Sequence, residues 1–436
     1  MVTHSVFNNS VYLIDCSSYD ARTIEVGIRA ASKALGVVLP QGQSVLLHPT
    51  CLWAHPRFAP LAFTNPIVIE GTALALAGNK LTIATNSLAG FPTRYSYRKA
   101  GYVELAQRLG ARLVAVDEAP TEIVQLGEDA IVDKQVALPR LLRKAAFTVA
   151  LPKLTGSTFV SFAGAIRHHQ SLLQDQAQVY GHHHLHTKMV DLLGAALPTL
   201  IVVDAITATD QGGELSGQPV ELGVLIIGTN PVAVDTICAV AYGLDPASVE
   251  YLQLAAERGY GPADLAQIQV VGDLTLDDLM ERSRRVKHVD PNPENYLLPP
   301  QVRVMRSPEA GLEGTAGGLT EAFLMLGRGG INLSKARETV IVIGQVGRVP
   351  PGRSDLATII FLDDTSRAEY QGYSRVVRLR GRYVPLSRLL KDVPYAMAAS
   401  SLRSELGGEM ITATFLSKVT PLVNRFIRGA GSPVAK

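Results

Sequence analysis

The sequence predicts a doubly wound α/β fold: a mostly parallel sheet with helices on both faces, followed by a smaller C-terminal α/β lobe. Three observations carry this. Short β-branched, apolar runs alternate with stretches of helical spacing, and most runs end in loops rich in Gly, Pro, Asn or Asp. The chain has 436 residues, beyond the ~250–300 at which one hydrophobic core usually splits.

Taken in order, Ser44–His48 reads as a buried strand between Gly42 and Pro49. Asn65 then caps a helix with Pro66 at its first position, closed by Gly78-Asn79. Lys80–Thr85 is a strand, Tyr95–Leu109 a helix stopped by Gly110, and Arg112–Val116 a strand. Leu138–Lys144 reads as a helix, Ala146–Leu151 as a strand, Lys188–Ala196 as a helix, and Leu200–Val203 and Leu222–Ile227 as strands. Asn230-Pro231 starts a helix as Asn65-Pro66 does; Ser248–Arg258 is another, and Ile268–Val271 is the last strand of the main lobe. The domain boundaries that follow are a main domain over 1–290, a turn-rich linker over 291–305 and a smaller lobe over 306–432. In that lobe Thr339–Ile343, Thr358–Leu362 and Arg375–Leu379 are strand candidates, and the tail from Pro433 frays.

Hydrophobic residues make up 47% of the chain and charged residues 18%, which excludes global disorder and a coiled coil. Scattered basic residues and a net charge of +2 give no basic stripe for nucleic acid. Three isolated cysteines, Cys16, Cys51 and Cys238, exclude a disulfide framework, a CxxC pair and a four-cysteine cluster site. The first basic residue is Arg22, and the longest uncharged stretch, Ala34–Pro56, is broken by Pro40, Gly42 and two histidines. Neither a signal peptide nor a membrane span is expected, and cytoplasmic is the default location.

Ligands of open α/β sheets bind beyond the carboxyl ends of the strands, so the loops there are where chemistry is expected. Six of the ten histidines fall between His168 and His186. Imidazole holds divalent metals when neutral and anions when charged, which makes His182, His184 and His186 candidate metal ligands and His168 and His169 candidate catalytic groups. The alternative is an exposed polar loop with solvated histidines. Lys153, directly after a strand and followed by Thr155, suits a carboxylate or phosphate, helped by Arg167. Asp204 ends an apolar run and could orient a histidine, bind a metal, act as a base or cap its loop. Asn86, Ser87 and Arg94 occupy a loop before a helix, and Asn230 and Asp235 belong to another helix start; all five are candidate ligand-binding residues. His48 and His55 flank Trp53 and read as packing residues.

In order and wording several motifs resemble the DUF362 family, a largely uncharacterised group. They are Leu-Pro-Lys-Leu-Thr at 151–155, Ala-Gly-Ala-Ile-Arg-His at 163–168, Leu-Ile-Val-Val-Asp-Ala-Ile at 200–206, Gly-Gly-Glu-Leu-Ser-Gly-Gln-Pro at 212–219 and the run 222–235. The likeness is strongest over 145–273 and extends more loosely to 44–117. Many members carry a ferredoxin-like cysteine motif; it is missing here, so no 4Fe-4S cluster is expected. His48-Pro49-Thr50 stands where the family usually has Lys-Pro-Asn, Ala205 where Gly follows the aspartate, and His168 where lysine is common. The resemblance implies a fold and a site at these positions, without a reaction.

The leading expectation is therefore an enzyme that takes an anionic small molecule and moves a proton beside its carbonyl or carboxylate, with isomerase, racemase or lyase outcomes. The grouping of histidines, lysine and α/β layers is loosely similar to nickel-dependent lactate racemases. The alternative is a non-catalytic protein binding a metal or metabolite through the histidine-rich loop. Cofactor identity and oligomeric state are not legible in the sequence, beyond the divalent metal that the histidines suggest.

Overall fold

The computed structural model describes residues 8–329 and 331–399, with the single positions 408 and 415. The remaining part of the expected C-terminal lobe and the tail lie outside the described residues. The main sheet has eight strands in the order β12-β1-β11-β10-β7-β2-β3-β4. In chain order, β1 (Ser10–Asp15), β2 (Ser44–Pro49), β3 (Lys80–Thr85) and β4 (Arg112–Ala115) come first. The hairpin of β5 (Thr121–Gln125) and β6 (Gln135–Pro139) precedes β7 (Phe147–Leu151), and β8 (Thr155–Gly156) pairs with β9 (Phe162–Ala163). Next come β10 (Leu200–Asp210), β11 (Gln218–Gly228) and β12 (Gln269–Gly272). All neighbours are parallel except at β11, which runs antiparallel to both β10 and β1.

Alternation along the strands fills both faces, as a period of two requires. Ile201 and Val203 of β10 pack into the core shared with Val224 and Ile226. Leu200 and Val202 point into the opposite core with Val45, Leu47 and Val149. The smaller lobe carries a parallel sheet of β13 (Val302–Arg306), β14 (Thr339–Arg348), β15 (Thr358–Glu369) and β16 (Arg375–Arg378). Its core is shared with the main lobe, because Trp53, Phe58 and Phe91 pack with Phe323, Leu389 and Leu390.

Three sequence expectations change, and one expected strand takes a direction that the sequence did not specify. The helix expected over Tyr95–Leu109 is broken into Thr93–Lys99 and Tyr102–Leu109 at Gly101, whose φ of 76° suits glycine. Leu138–Lys144 is the end of β6 followed by a short helix, Arg140–Lys144, because hairpin pairing claims the first residues. The expected linker 291–305 runs into β13, whose pairing with β14 overrides the turn-forming prolines beside it. The run Leu222–Ile227 lies in the reversed strand, since the loop before it is too short for a crossover.

Candidate functional site

At the carboxyl edge of β2, β3, β7 and β10, the loops converge on a small cavity of about 40 Å³. At ~10–15 Å³ for each water-sized occupant, that is room for about three waters, or one carboxylate-sized group. Its wall includes Thr50, Asn86, Lys153, Thr155, Arg167 and His168, together with Ser87, Gln170, Gln178 and Glu214. A second space of about 30 Å³ adjoins it through Arg167, Gln170 and Gln178, and is covered from the smaller lobe by Tyr383, Pro385 and Leu386.

Lys153 and Asp204 meet because the chain after β7 continues beside β10: Leu154 N–H donates to the Asp204 carbonyl and Asp204 N–H to that of Pro152. Their side chains are 1% and 0% exposed and 2.9 Å apart. Lys153 Nζ also donates to the Tyr19 hydroxyl at 2.9 Å, which donates to Asp204 Oδ1 at 3.0 Å. Asn65 N–H donates to Oδ2 at 3.0 Å, so both carboxylate oxygens are occupied and Asp204 positions the lysine rather than serving as a free base. Burial works against the Lys153 ammonium, but Asp204 and Tyr19 outweigh it and hold the lysine above its ordinary range. Burial, then the Asp204 charge, pushes the Tyr19 phenol up to about 12. Two of the three lysine N–H donors are used in this network.

The histidines form a second chain. Lys153 N–H donates to Thr50 Oγ1 at 3.1 Å, and the Thr50 hydroxyl donates to His168 Nδ1 at 3.1 Å. His168 Nε2–H donates to the His48 carbonyl at 2.8 Å, which fixes its tautomer. Ser171 gives its hydroxyl proton to the His168 carbonyl and accepts from His48 Nε2–H, both at 2.7 Å. The His48 and His168 rings lie 4.0 Å apart. Burial, with His169 beside it, pushes His168 down to about 3, and burial likewise lowers His48 and His169. All three imidazoles are neutral.

Arg167 is buried and donates Nε to Glu214 Oε1 at 3.1 Å. Its Nη1 donates to Gln170 Oε1, which turns the Gln170 amide so that Nε2 points away. Gln170 Nε2 is buried without a protein partner. Asn86 accepts from Thr93 Oγ1 and donates to the Leu173 carbonyl, and Ser87 Oγ donates to the Cys51 carbonyl. These bonds shape the loop wall. The loop that follows Glu214 is held from the other lobe: Glu321, on helix Gly317–Arg328, accepts the N–H groups of Leu215 and Ser216 and the Ser216 hydroxyl, each at 2.8 Å. A Cβ at Gly213 would collide with the Glu321 carboxylate, so any larger residue there would have to displace Glu321 from its three bonds to this loop.

Of the residues expected at the site, Lys153, Asp204, His168, Asn86, Ser87, Thr155 and Arg167 come together. The others do not. Arg94 makes a bidentate pair with Glu118 on the surface, at 2.6 and 2.8 Å. Asn230 caps helix Pro231–Ala241 but follows the one reversed strand, so it lies at the amino edge of the sheet, on a cleft with Asn9 and Gly261. Asp235 caps the turn Ala165–His168 through the N–H groups of Ala165 and Ile166, and burial pushes its carboxyl up to about 7. His169 donates Nδ1 to the Ala165 carbonyl and faces a different cavity.

The expected metal trio is dispersed. His182 stacks on Tyr383 at 3.9 Å with Nδ1 on the Glu313 carbonyl, His184 is exposed, and His186 lies near Glu250 and Glu313. Among the described residues no three His, Cys, Asp or Glu side chains form a group that could hold a metal ion. Tyr19, Thr50, Gln170 and Gln178 are site residues that sequence reasoning missed. The Arg-His-His run pointed near Gln170, but nothing local marked Tyr19, 134 residues from Lys153.

The molecule is thus a mixed-sheet α/β protein with a small, polar-lined cavity at the carboxyl edge of its parallel strands. Residues 45–240 match the model of DUF362, described as a domain of unknown function. A thylakoid-associated protein of Synechocystis sp. is 25% identical over 268 residues, covering 58% of this chain and 80% of that protein. Among solved structures, the lactate racemase apoprotein of Thermoanaerobacterium thermosaccharolyticum is similar over 54% of this chain and 57% of its own, at 14% identity and a TM-score of 0.35. A Thermotoga maritima protein is similar over 76% and 72%, at 9% identity and a TM-score of 0.31. Likeness at that level bears on neither ligand nor reaction. Among the described residues no helix is long and apolar enough to cross a membrane.

Proposed function

We propose that the protein binds a small carboxylate or similar oxyanion over Lys153 and moves a proton beside it. The observation that carries this is the surplus of donors on the cavity wall. Gln170 Nε2 is buried without an acceptor, and Lys153 has a third N–H beyond its bonds to Asp204 and Tyr19. A buried donor left unpaired costs ~1–3 kcal/mol, which an oxyanion in the cavity relieves. Because the charges of Lys153 and Arg167 are already balanced by Asp204 and Glu214, the bound anion adds an uncompensated negative charge.

His168 supplies the compensation. An anion ~4 Å away at an effective dielectric of ~20 stabilises imidazolium by about 4 kcal/mol, or about 3 pKa units. That carries His168 from about 3 toward neutrality. Protonation at Nδ1 reverses its bond with Thr50, whose oxygen then accepts from both Lys153 N–H and His168 and whose O–H turns to the ligand. For a ligand with an acidic C–H beside its carboxylate, the reacting state is the one in which His168 Nδ1 is still unprotonated: Thr50 passes its hydroxyl proton to that nitrogen as its oxygen takes the proton from carbon, and His168 ends as the imidazolium that the bound anion stabilises. The electron pair left on carbon spreads into the carboxylate held by Lys153.

Titration calorimetry with glycolate in buffers of different ionisation enthalpy tests the binding step, and loss of the glycolate C–H signal in deuterated water tests the transfer. Expected are saturable binding with proton uptake, deuterium incorporation, and loss of both in Thr50→Val. Failure of glycolate and acetate to bind would refute the reading. Binding without exchange would leave the simpler role of a proton-coupled oxyanion carrier, which the low basicity of His168 favours.

A further inference from the structure

A second cavity, of about 260 Å³, lies over one face of β2 and β7. It exists because the connection from β4 to β7 covers this face with the β5–β6 hairpin and the five-residue helix Arg140–Lys144 instead of a full helix. Period-two alternation brings Leu46 and His48 of β2 onto the same face as Thr148 and Ala150 of β7, with Leu46 opposite Thr148 and His48 opposite Ala150. The roof is Leu138 and Leu142, and Ala196 closes one side. The exposed Arg143 side chain pairs with Glu122 at 2.9 Å, and both border the cavity.

One polar feature on this wall is not spent on the fold. His48 Nε2 is the protonated nitrogen, donated to Ser171. Nδ1 therefore carries a lone pair, and His48 makes no other side-chain hydrogen bond than the one to Ser171. An acceptor without a protein donor, on a side chain only 5% exposed that lines a largely apolar chamber just below the ~300–1,000 Å³ range of ligand pockets, is the mirror image of the donor-rich oxyanion cavity. We propose that this chamber is a second binding site, for a small apolar or aromatic molecule that carries one hydrogen-bond donor, with His48 Nδ1 as its acceptor. The proposal does not depend on the oxyanion reading, since it uses another face of β2 and a ligand of opposite polarity.

The test uses the full chain with indole and with benzofuran, which has the same shape and no N–H. Binding is followed by titration calorimetry, and His48 by the 15N resonance of its unprotonated ring nitrogen. The expected result is saturable indole binding, at least about tenfold weaker benzofuran binding, a shift of the His48 Nδ1 resonance with indole alone, and loss of binding in Ala196→Phe. Ala195→Phe, judged with it for native circular dichroism, gives a second filling substitution should the first fail to fold. No saturable indole binding, equal affinity for the two probes, or undiminished binding in the folded filling variants would overturn the proposal.

Discussion

Replacing Lys153 with methionine removes the ammonium from an ion pair whose side chains are 1% and 0% exposed and 2.9 Å apart. Coulomb's law at that distance gives about 6 kcal/mol of attraction at an effective dielectric of ~20. Withdrawing two ions from water costs several kcal/mol each, so the intact pair is close to balance. The cost of the single substitution comes instead from Asp204, left buried with only the Tyr19 hydroxyl and Asn65 N–H to hold its charge. Breaking a buried pair in this way costs about 3–5 kcal/mol, a large part of the ~5–15 kcal/mol that holds a typical protein folded. Urea denaturation monitored by circular dichroism reads it as a lower midpoint. Lys153→Met with Asp204→Leu should recover most of the loss, because no orphaned charge remains. Arg94→Ala, which breaks a pair whose arginine is 46% exposed, should cost about 0–1 kcal/mol. A Lys153→Met protein within 1 kcal/mol of the parent, or a double variant no more stable than the single, would refute the assignment of a charged, buried lysine.

Stability should fall as pH drops below 6.5. His48, His168, His169 and His182 are all held neutral chiefly by burial, so the unfolded chain binds more protons between their ordinary and their lowered values. Each contributes a slope of about 1.4 kcal/mol per pH unit. Asp235, pushed up to about 7, and Asp117, pushed up to about 6, both by burial, work in the opposite sense between their ordinary and raised values and together cancel up to about two of the four histidines. Scanning calorimetry showing a flat melting temperature from pH 7 to 5 would contradict this. Asn230→Ala should cost about 1 kcal/mol for the lost cap and leave glycolate binding within twofold, as its place at the amino edge requires. Glu321→Ala should release the loop at Leu215 and Ser216, seen as amide hydrogen exchange at least tenfold faster there than in the rest of β10 and β11. Unchanged exchange would show that the smaller lobe does not hold that loop.

Seven of the eight strands of the main sheet are legible because each contains a nearly unbroken apolar run, and burial on both faces demands that pattern; β1 (Ser10–Asp15) is not among the strands read from the sequence. The caps at Asn65 and Asn230 were legible because an Asx-Pro start is a local signal. Strand direction was not. Leu222–Ile227 has the composition of its parallel neighbours, and its reversal alone moved Asn230 to the wrong edge for the site. Asp235 and His169 were chemically plausible residues in the right motifs, but whether a carboxylate meets a ligand or caps a neighbouring turn depends on contacts 70 residues away in the chain.

What the sequence by itself determined is local: strand and helix positions, the DUF362 motifs, and the lysine, aspartate, histidine and arginine that the motifs carry. The tertiary structure decided which of those share a cavity, which protonation states they hold, and which were spent on capping or packing. Burial and hydrogen-bond partners set these, and both come from segments distant in sequence. The six clustered histidines show the division. Their proximity in the chain suggested one site, yet helical geometry and packing sent His168 to the oxyanion cavity, His169 to the chamber beside His48, and His182 against Tyr383 in the smaller lobe.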